Sequence, residues 1–389
     1  MNKELSGNLY LFADRLPPSF GGMENHALHF IRYFTNNNSF PLKGIISKDY
    51  DGKNILLSPN GSKICGCQVS KNVLNILFDN PKKEKLICFF NSGRWIEELA
   101  GIRNKLPNAI FIQRTGGNDI IKADLSDLSC SLKQRQTTWA NIINKNINII
   151  ISNSNFTTNR LIEIGILQNK IVKISGGIDS KACLSALKQR KFLRLNLYNN
   201  FYNNKIVLFA GRFVEFKGFE IAVEALKNLN KDIVLCCIGD GELKERYLKF
   251  ANDELCNRFR YYGKVDADKS LLYISSADIL VCPSKSLIKS VHNGKYIHTE
   301  TMGRVLYEAI GCGTRVVAAD VGGVPEIINK SYGSLAPAED SYSLSLAILN
   351  EQNEKRISTS EILSFHKDYS WNTVFENYLS LLKKLLKEH

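Results

Sequence analysis

Two carboxylates and a glycine stand out in the stretch HTETMGRVLYEAIGCGTRVVAADVGGVPEII, where Glu300 and Glu308 bracket Gly303. A helix is expected to start at Gly303 and to end at Gly311 and Gly313, with RVVAA as the next strand. Without a side chain at Gly303, a ligand can approach the backbone N–H groups that follow it. Those N–H groups and the helix dipole suit a diphosphate. Glu300, in the loop before the helix, and Glu308, in its second turn, can face one ligand. Both can accept hydrogen bonds from sugar or ribose hydroxyls without a metal ion.

A second stretch, FAGRFVEFKGFEIAVEAL, runs from an apolar strand (Ile206–Ala210) through Gly211 to a helix starting near Gly218. Arg212 and Lys217 flank the connecting loop. Two cations there can neutralise a departing diphosphate, whose charge grows in the transition state. A third stretch, CCIGDGELKERY, is again strand, glycine turn and helix, a weaker phosphate-loop pattern.

The elements that must position these residues follow from periodicity. Strand-like runs are Leu9–Ala13, Leu86–Phe90, Ala109–Gln113, Ile147–Ile151, Ile206–Ala210, Ile233–Ile238, Ile279–Cys282 and Arg315–Ala319. Helical stretches with apolar residues at i, i+3 and i+4 alternate with them, as in Phe219–Leu229. Such alternation predicts an α/β chain with parallel sheets covered on both faces. At 389 residues the chain is long enough for two domains. The organisation expected is a first domain over 1–180, a linker over 181–204 with no strand, a second domain over 205–365, and a terminal helical segment over 366–389.

The motifs together resemble the GT-B glycosyltransferases of family 4 over almost the whole length. The resemblance rests on Glu300 and Glu308 followed by GGVPE, the loop GRFVEFKG, the glycine loop in PSFGGMENHAL, the turn SGGID and the segment YSW at Tyr369–Trp371. It implies two Rossmann-like domains whose parallel sheets face each other across a cleft, with a C-terminal helix returning to the first domain. It also implies a nucleotide-sugar donor in the second domain and an acceptor in the first. By position, Arg212 and Lys217 look like the pair that binds the donor diphosphate, and Glu300 like the contact to the donor sugar hydroxyls. Glu308 looks like the ribose-binding carboxylate. Gly303, Arg304 and Val305 would supply backbone contacts around sugar and phosphate. Gly22, after Gly21, would bring a first-domain loop against the diphosphate. Gly239, Gly241 and Val265 would border the base. The mechanism implied is retaining and metal-independent, with no cofactor; the donor expected is a UDP-sugar, with a GDP-sugar as the alternative.

The departures from the family pattern are informative. Where many members have a His at the end of a strand, this chain reads FIQRTGGND and carries Arg114. An arginine stays protonated and is no general base. It can bind an anionic group on donor or acceptor, or stabilise the leaving phosphate. Asn118 follows as a further candidate, and Asp119 contacts the transferred sugar or caps a helix. His26, one turn after the glycine pair, is either a surface or capping residue or a ligand contact. The loop SKSLIKSVHNGKYIHT is longer than the family leads one to expect. Asp49–Asp51 and Asp266–Asp268 match the D-x-D spacing of metal-dependent transferases, but the first reads as a turn and the second as a helix cap. Ten cysteines show no zinc spacing, which points to reduced, buried thiols.

Net charge is +13, and residues 1–200 carry 27 Lys and Arg against 14 Asp and Glu, whereas 201–389 carry 24 of each. A basic first half suggests an anionic partner there. With the resemblance it suggests a polyprenyl-diphosphate-linked glycan acceptor at an anionic inner-membrane surface, as in bacterial surface polysaccharide assembly (O-antigen or capsule). Asp14 and Arg15 interrupt the first apolar stretch too early for a signal peptide, so a cytoplasmic, peripheral location is expected. The competing readings are transfer to a soluble sugar and a non-catalytic nucleotide-sugar binder. Nucleic-acid binding is disfavoured because the lysines are dispersed and no aromatic-basic module appears.

Overall fold

Strands buried on both faces need unbroken apolar runs, and the central strands have them: LICFF, IFIQR, IVLCCI and RVVAA are buried at every position. The computed structural model describes residues 6–16, 21–47, 62–64, 67–69, 72–79, 85–123, 125 and 129–388. The chain divides into two units. The first comprises Met1–Gly176, Lys289–Tyr296 and Asn372–His389; the second comprises Gly177–Ile288 and Ile297–Trp371.

In the first unit the strands are β1 (Asn8–Ala13), β2 (Leu42–Ser47), β3 (Ser62–Ile64), β4 (Cys67–Val69), β5 (Leu86–Phe90), β6 (Ile110–Arg114), β7 (Ile149–Ser152) and β8 (Ile171–Lys173). They form one sheet in the order β3-β4-β2-β1-β5-β6-β7-β8. All pairs are parallel except β3 with β4. The order reverses at β1, with Leu11 opposite Ile45 of β2 on one side and Phe89 of β5 on the other. In such sheets ligands bind beyond the carboxyl ends of the strands beside the reversal. Here those ends feed the loops carrying Gly21–Gly22, Asn91–Ser92 and Arg114–Asp119.

The helix Gly22–Thr35 buries His26, Ala27, Phe30, Ile31 and Phe34 along one stripe. The helix Trp371–Glu388 belongs to this unit from Asn372 onward and buries Val374, Phe375, Tyr378, Leu382 and Leu386. Phe30, Phe34, Phe89, Phe375 and Tyr378 form one aromatic cluster, with Phe30 centred 4.5 Å from both Phe34 and Phe89.

The second unit holds β9 (Lys205–Ala210), β10 (Ile233–Ile238), β11 (Phe259–Tyr261) and β12 (Ile279–Cys282), then, after the hairpin β13 (Leu287–Val291) and β14 (Gly294–His298), most of which belongs to the first unit, β15 (Arg315–Ala319) and β16 (Gly333–Ala336). Six of them make a parallel sheet in the order β11-β10-β9-β12-β15-β16, reversing at β9 and β12. The stretch 181–204, which shows no strand in the sequence, is mostly the helix Ser180–Leu197, and it packs as part of this unit. Asp179 caps it by accepting from the Ala182 N–H at 3.0 Å. Tyr198 just beyond it is fully buried and donates to the Tyr273 carbonyl at 3.1 Å. The long SKSLIKSVHNGKYIHT segment is the β13–β14 hairpin, turned at His292–Asn293 with Asn293 at φ 52°. No helix among the described residues is long and apolar enough to cross a membrane.

Candidate active site

Loops leaving β9 and β12 converge in the second unit. After β9 the chain passes Gly211 and Arg212, makes a single 3-10 turn at Glu215–Lys217, and enters the helix Phe219–Lys227 through Gly218 at φ 64°. A Cβ at Gly218 would overlap the Pro283 carbonyl oxygen, so the glycine lets the β9 loop press against the chain leaving β12. That contact brings Lys217 to Glu300, with which it forms a short hydrogen-bonded ion pair. The two side chains are 19% and 14% exposed, so the pair is largely shielded from water. The other Glu300 oxygen accepts the Gly303 N–H at 3.2 Å.

The helix Arg304–Gly311 starts at Gly303, in the left-handed region at φ 74°. Its first N–H groups have no acceptor within the helix. Arg304 pairs with Glu308 one turn later at 3.2 Å, and Arg304 Nη1 is buried with no hydrogen-bond partner. Arg212 is exposed, its guanidinium 5.9 Å from the centre of the Phe216 ring, while Lys217 Nζ lies 5.2 Å from the same ring. No carboxylate among the described residues lies within ion-pair distance of Arg212.

The electrostatics of the two glutamates differ. Burial alone would raise Glu300 and lower Lys217, but their mutual attraction wins in both: Glu300 sits below and Lys217 above its ordinary value. Glu308 is raised, because burial outweighs the nearby Arg304 charge.

The glycines after β10 have a packing role. Gly239, at φ 140°, faces Gly211 so closely that a Cβ would overlap the Gly211 carbonyl oxygen, and a Cβ at Gly241 would crowd the Phe213 backbone. Phe213 N–H donates to the Asp240 carbonyl and Leu243 N–H to the Phe213 carbonyl, each at 3.0 Å. This turn therefore braces the loop that carries Arg212. Val265 is half-buried against the core of the same unit. Asp266 caps the following helix by accepting the Lys269 N–H at 2.8 Å. Asp49–Asp51 and Cys65 lie outside the described residues.

In the first unit, Gly21 is extended, and Gly22 opens the helix with no described atom within 4 Å of where a Cβ would stand. His26 is neither on the surface nor a cap. It is 1% exposed and shares a hydrogen bond with the Tyr378 hydroxyl at 3.0 Å, a pairing across 352 residues. Burial first, then the Arg114 charge, hold its pKa well below 6.5. Arg114 ends β6, is 5% exposed, and donates from Nη1 to the Met23 sulfur at 3.0 Å. Asp119 does not cap the short helix Asn118–Ile121, whose N-cap is Gly117. Its carboxylate instead accepts from Thr115 Oγ1 (2.6 Å), Gly116 N–H (3.1 Å) and Gly93 N–H (2.8 Å), fixing the loop after β6.

Residues 198–360 match the family model of glycosyl transferases group 1. An uncharacterised glycosyltransferase of Methanocaldococcus jannaschii is 22% identical over 97% of this chain and 98% of its own. A phosphatidyl-myo-inositol mannosyltransferase of Mycobacterium leprae is 29% identical over 47% of this chain and 44% of its own. The crystal structure of HepE from Anabaena in complex with UDP has a TM-score of 0.72 at 17% identity, covering 97% of this chain and all of that one. The fold over nearly the whole chain is that of the Anabaena structure, and residues 198–360 are similar to the glycosyl transferases group 1.

The matched span contains Arg212, Lys217, Glu300, Gly303 and Glu308, whereas Gly22, His26 and Arg114 lie before it. Reading residues alone passed over Phe216, although an aromatic between Arg212 and Lys217 in a short loop was a visible sign. The Arg304–Glu308 pair was likewise legible as an i,i+4 spacing. The Met23 and Tyr378 contacts around Arg114 and His26 had no local sign, because they join segments distant in sequence.

Proposed function

We propose that this protein is a glycosyltransferase that moves a sugar from a nucleoside-diphosphate sugar to a glycan acceptor, with retention of anomeric configuration and without a metal ion. One observation carries the reading: Arg212, the Lys217–Glu300 pair and the open helix start at Gly303 are brought together by two loops. Arg212 has no carboxylate within ion-pair distance among the described residues, Lys217 stands beside it in a pair with Glu300, and the helix start offers N–H donors, which together suit a diphosphate whose charge grows as the glycosidic bond breaks. Glu300 takes the sugar hydroxyls and Glu308 the ribose hydroxyls. The acceptor oxygen attacks the anomeric carbon from the face the diphosphate leaves, and the acceptor proton passes to the departing phosphate oxygen. The residues contribute orientation and charge stabilisation. The Anabaena protein's complexes with UDP and UDP-glucose favour a uridine donor as the first to test, with a guanosine donor second.

Charge supports an anionic acceptor. The first unit carries 27 Lys and Arg against 15 Asp and Glu, the second 24 against 23, so almost all excess positive charge belongs to one unit. A polyprenyl-diphosphate-linked glycan at the cytoplasmic face of an anionic membrane, in surface polysaccharide assembly, fits that balance.

The test is a thermal-shift screen of the full chain against UDP, GDP, ADP and their sugar conjugates. A ligand at 100 times its Kd adds about 2.7 kcal/mol of stability. UDP or GDP should stabilise the wild type and fail to stabilise Arg212→Ala. The reading is abandoned if no nucleoside diphosphate stabilises the wild type. Flotation with anionic vesicles at low salt tests the membrane surface separately.

A further inference from the structure

A buried arginine without an anion is an unbalanced element in a fold, because removing a charge from water costs several kcal/mol unless a counter-charge or hydrogen bonds offset it. Arg114 is such a residue. It is 95% buried at the carboxyl end of β6, yet its recorded partners are a thioether, Met23 Sδ at 3.0 Å, and the neutral phenol of Tyr378. No carboxylate among the described residues pairs with it. Asp119 is engaged by Thr115, Gly116 and Gly93, and Asp14 by Ser92 at 2.7 Å and Arg94 at 3.4 Å. Burial and the Arg114 charge hold the His26 pKa well below its ordinary value, and an imidazole offers the guanidinium no counter-charge.

The location is where a doubly wound sheet receives ligands: next to the reversal at β1, between the glycine start of the helix Gly22–Thr35 and the loop Thr115–Gly117. A Cβ at Gly116 would stand 3.5 Å from Met23 Sδ, so this loop packs beside the methionine that touches Arg114. We propose that Arg114 binds an anionic group, a phosphate or a carboxylate, on the substrate held by the first unit. The assignment rests on the glycosyl-transfer reading and narrows it: the acceptor or its sugar carries a negative charge where it meets β6. A planar guanidinium takes either group through two parallel hydrogen bonds.

Two of the three methionines report on the two units separately: Met23 touches Arg114, and Met302 adjoins Gly303. The experiment is carbon-13 methyl-methionine NMR of the full chain. UDP is added first to saturate the second unit, followed in separate titrations by inorganic phosphate, glucuronate and neutral glucose. The expected result is a saturable shift of the Met23 resonance with phosphate or with glucuronate, and none with glucose. Phosphate alone identifies a phosphorylated group, and glucuronate alone a carboxylated sugar. Arg114→Leu should weaken the response about tenfold or more, the scale of one charge-assisted hydrogen bond, with Arg114→Lys in between. Met23 unmoved by both anions, or moved equally in Arg114→Leu, overturns the assignment. The Met302 response to UDP is read independently, so losing it counts against the donor reading, and keeping it in Arg114→Leu shows that the variant is folded.

Discussion

The Lys217 ammonium donates directly to the Glu300 carboxylate, and the partner residue also holds the Gly303 N–H at the start of the helix Arg304–Gly311. A cation proposed for the diphosphate and an acid proposed for the sugar are thus one hydrogen-bonded unit before any donor arrives. Lys217→Ala should lower turnover by about 10²-fold or more, the scale of one strong transition-state contact. It should also cost about 2 kcal/mol of stability, since Glu300 loses the charge that holds its pKa down. The double variant Lys217→Met, Glu300→Gln should recover much of that stability and none of the rate. Paired urea denaturation and initial-rate measurements separate the two effects; a double variant as active as wild type removes both residues from the mechanism.

Glu308 and Glu300 should respond oppositely to acid. Glu300, with its lowered pKa, contributes stability above its unfolded value near 4.5 that is lost as pH falls through the folded value. Glu308, with its raised pKa, becomes less favourable to the fold as pH rises past 4.5, and it is the first of the two to become neutral as pH falls. A neutral carboxyl is a poorer acceptor for two ribose hydroxyls. Nucleoside-diphosphate affinity should therefore weaken from pH 7 toward pH 5, and calorimetry with Glu308→Gln should show a flatter profile.

His26 predicts a further pH effect. Below about pH 6.5 the unfolded chain takes up a proton that the folded chain refuses, so stability falls as pH drops between 6.5 and the lowered folded value. The slope approaches about 1.4 kcal/mol per pH unit for this one group. Urea midpoints at pH 7.5 and 5.5 should differ more in the wild type than in His26→Gln. Equal differences would mean that His26 titrates normally.

Gly239→Ala should disturb the cationic loop without touching a cation. Its φ of 140° disfavours a side chain, and the new methyl would strike the Gly211 carbonyl beside Arg212. A loss of about 1–3 kcal/mol in stability is expected, with nucleoside-diphosphate binding weakened in calorimetry. Unchanged stability and affinity would show that the turn yields freely.

Phe375→Ala should destabilise the first unit by about 3–5 kcal/mol, the range for removing a buried aromatic. Phe375 is 1% exposed among Tyr33, Phe30, Phe34 and Tyr378. The check is the urea midpoint followed by near-ultraviolet circular dichroism, where a shift below about 1 kcal/mol would contradict the packing.

The sheets were legible in the sequence where strands are long and apolar, as in β5, β9, β10, β12 and β15. The shorter ones were not: β2 reads LKGIIS, β16 reads GSLA, and β3, β4, β8 and β11 have three residues each. At that length a period of two has no room to show. The strand read as Ile147–Ile151 begins at Ile149, because the preceding helix runs through Asn146 and Ile147 N–H still donates to the Ile143 carbonyl. The hairpin was passed over although Asn293–Gly294 marks a tight turn. In the site, the glycines and charges of the second unit lie within short loops and could be read locally. The surroundings of Arg114 and His26 depend on Tyr378, which no local pattern connects to them.

The helix ending at Glu388 gives the first unit an unusual order of completion. Its strand β1 precedes the second unit in the chain, but the segment that buries Phe30, Phe34 and Phe89 follows every residue of that unit. During synthesis the first unit therefore cannot be completed before the second has been made, and its aromatic surface stays open to chaperones or to aggregation until residues 372–388 have emerged. A chain cut just before Asn372 would carry every proposed diphosphate contact and still lack a finished first unit.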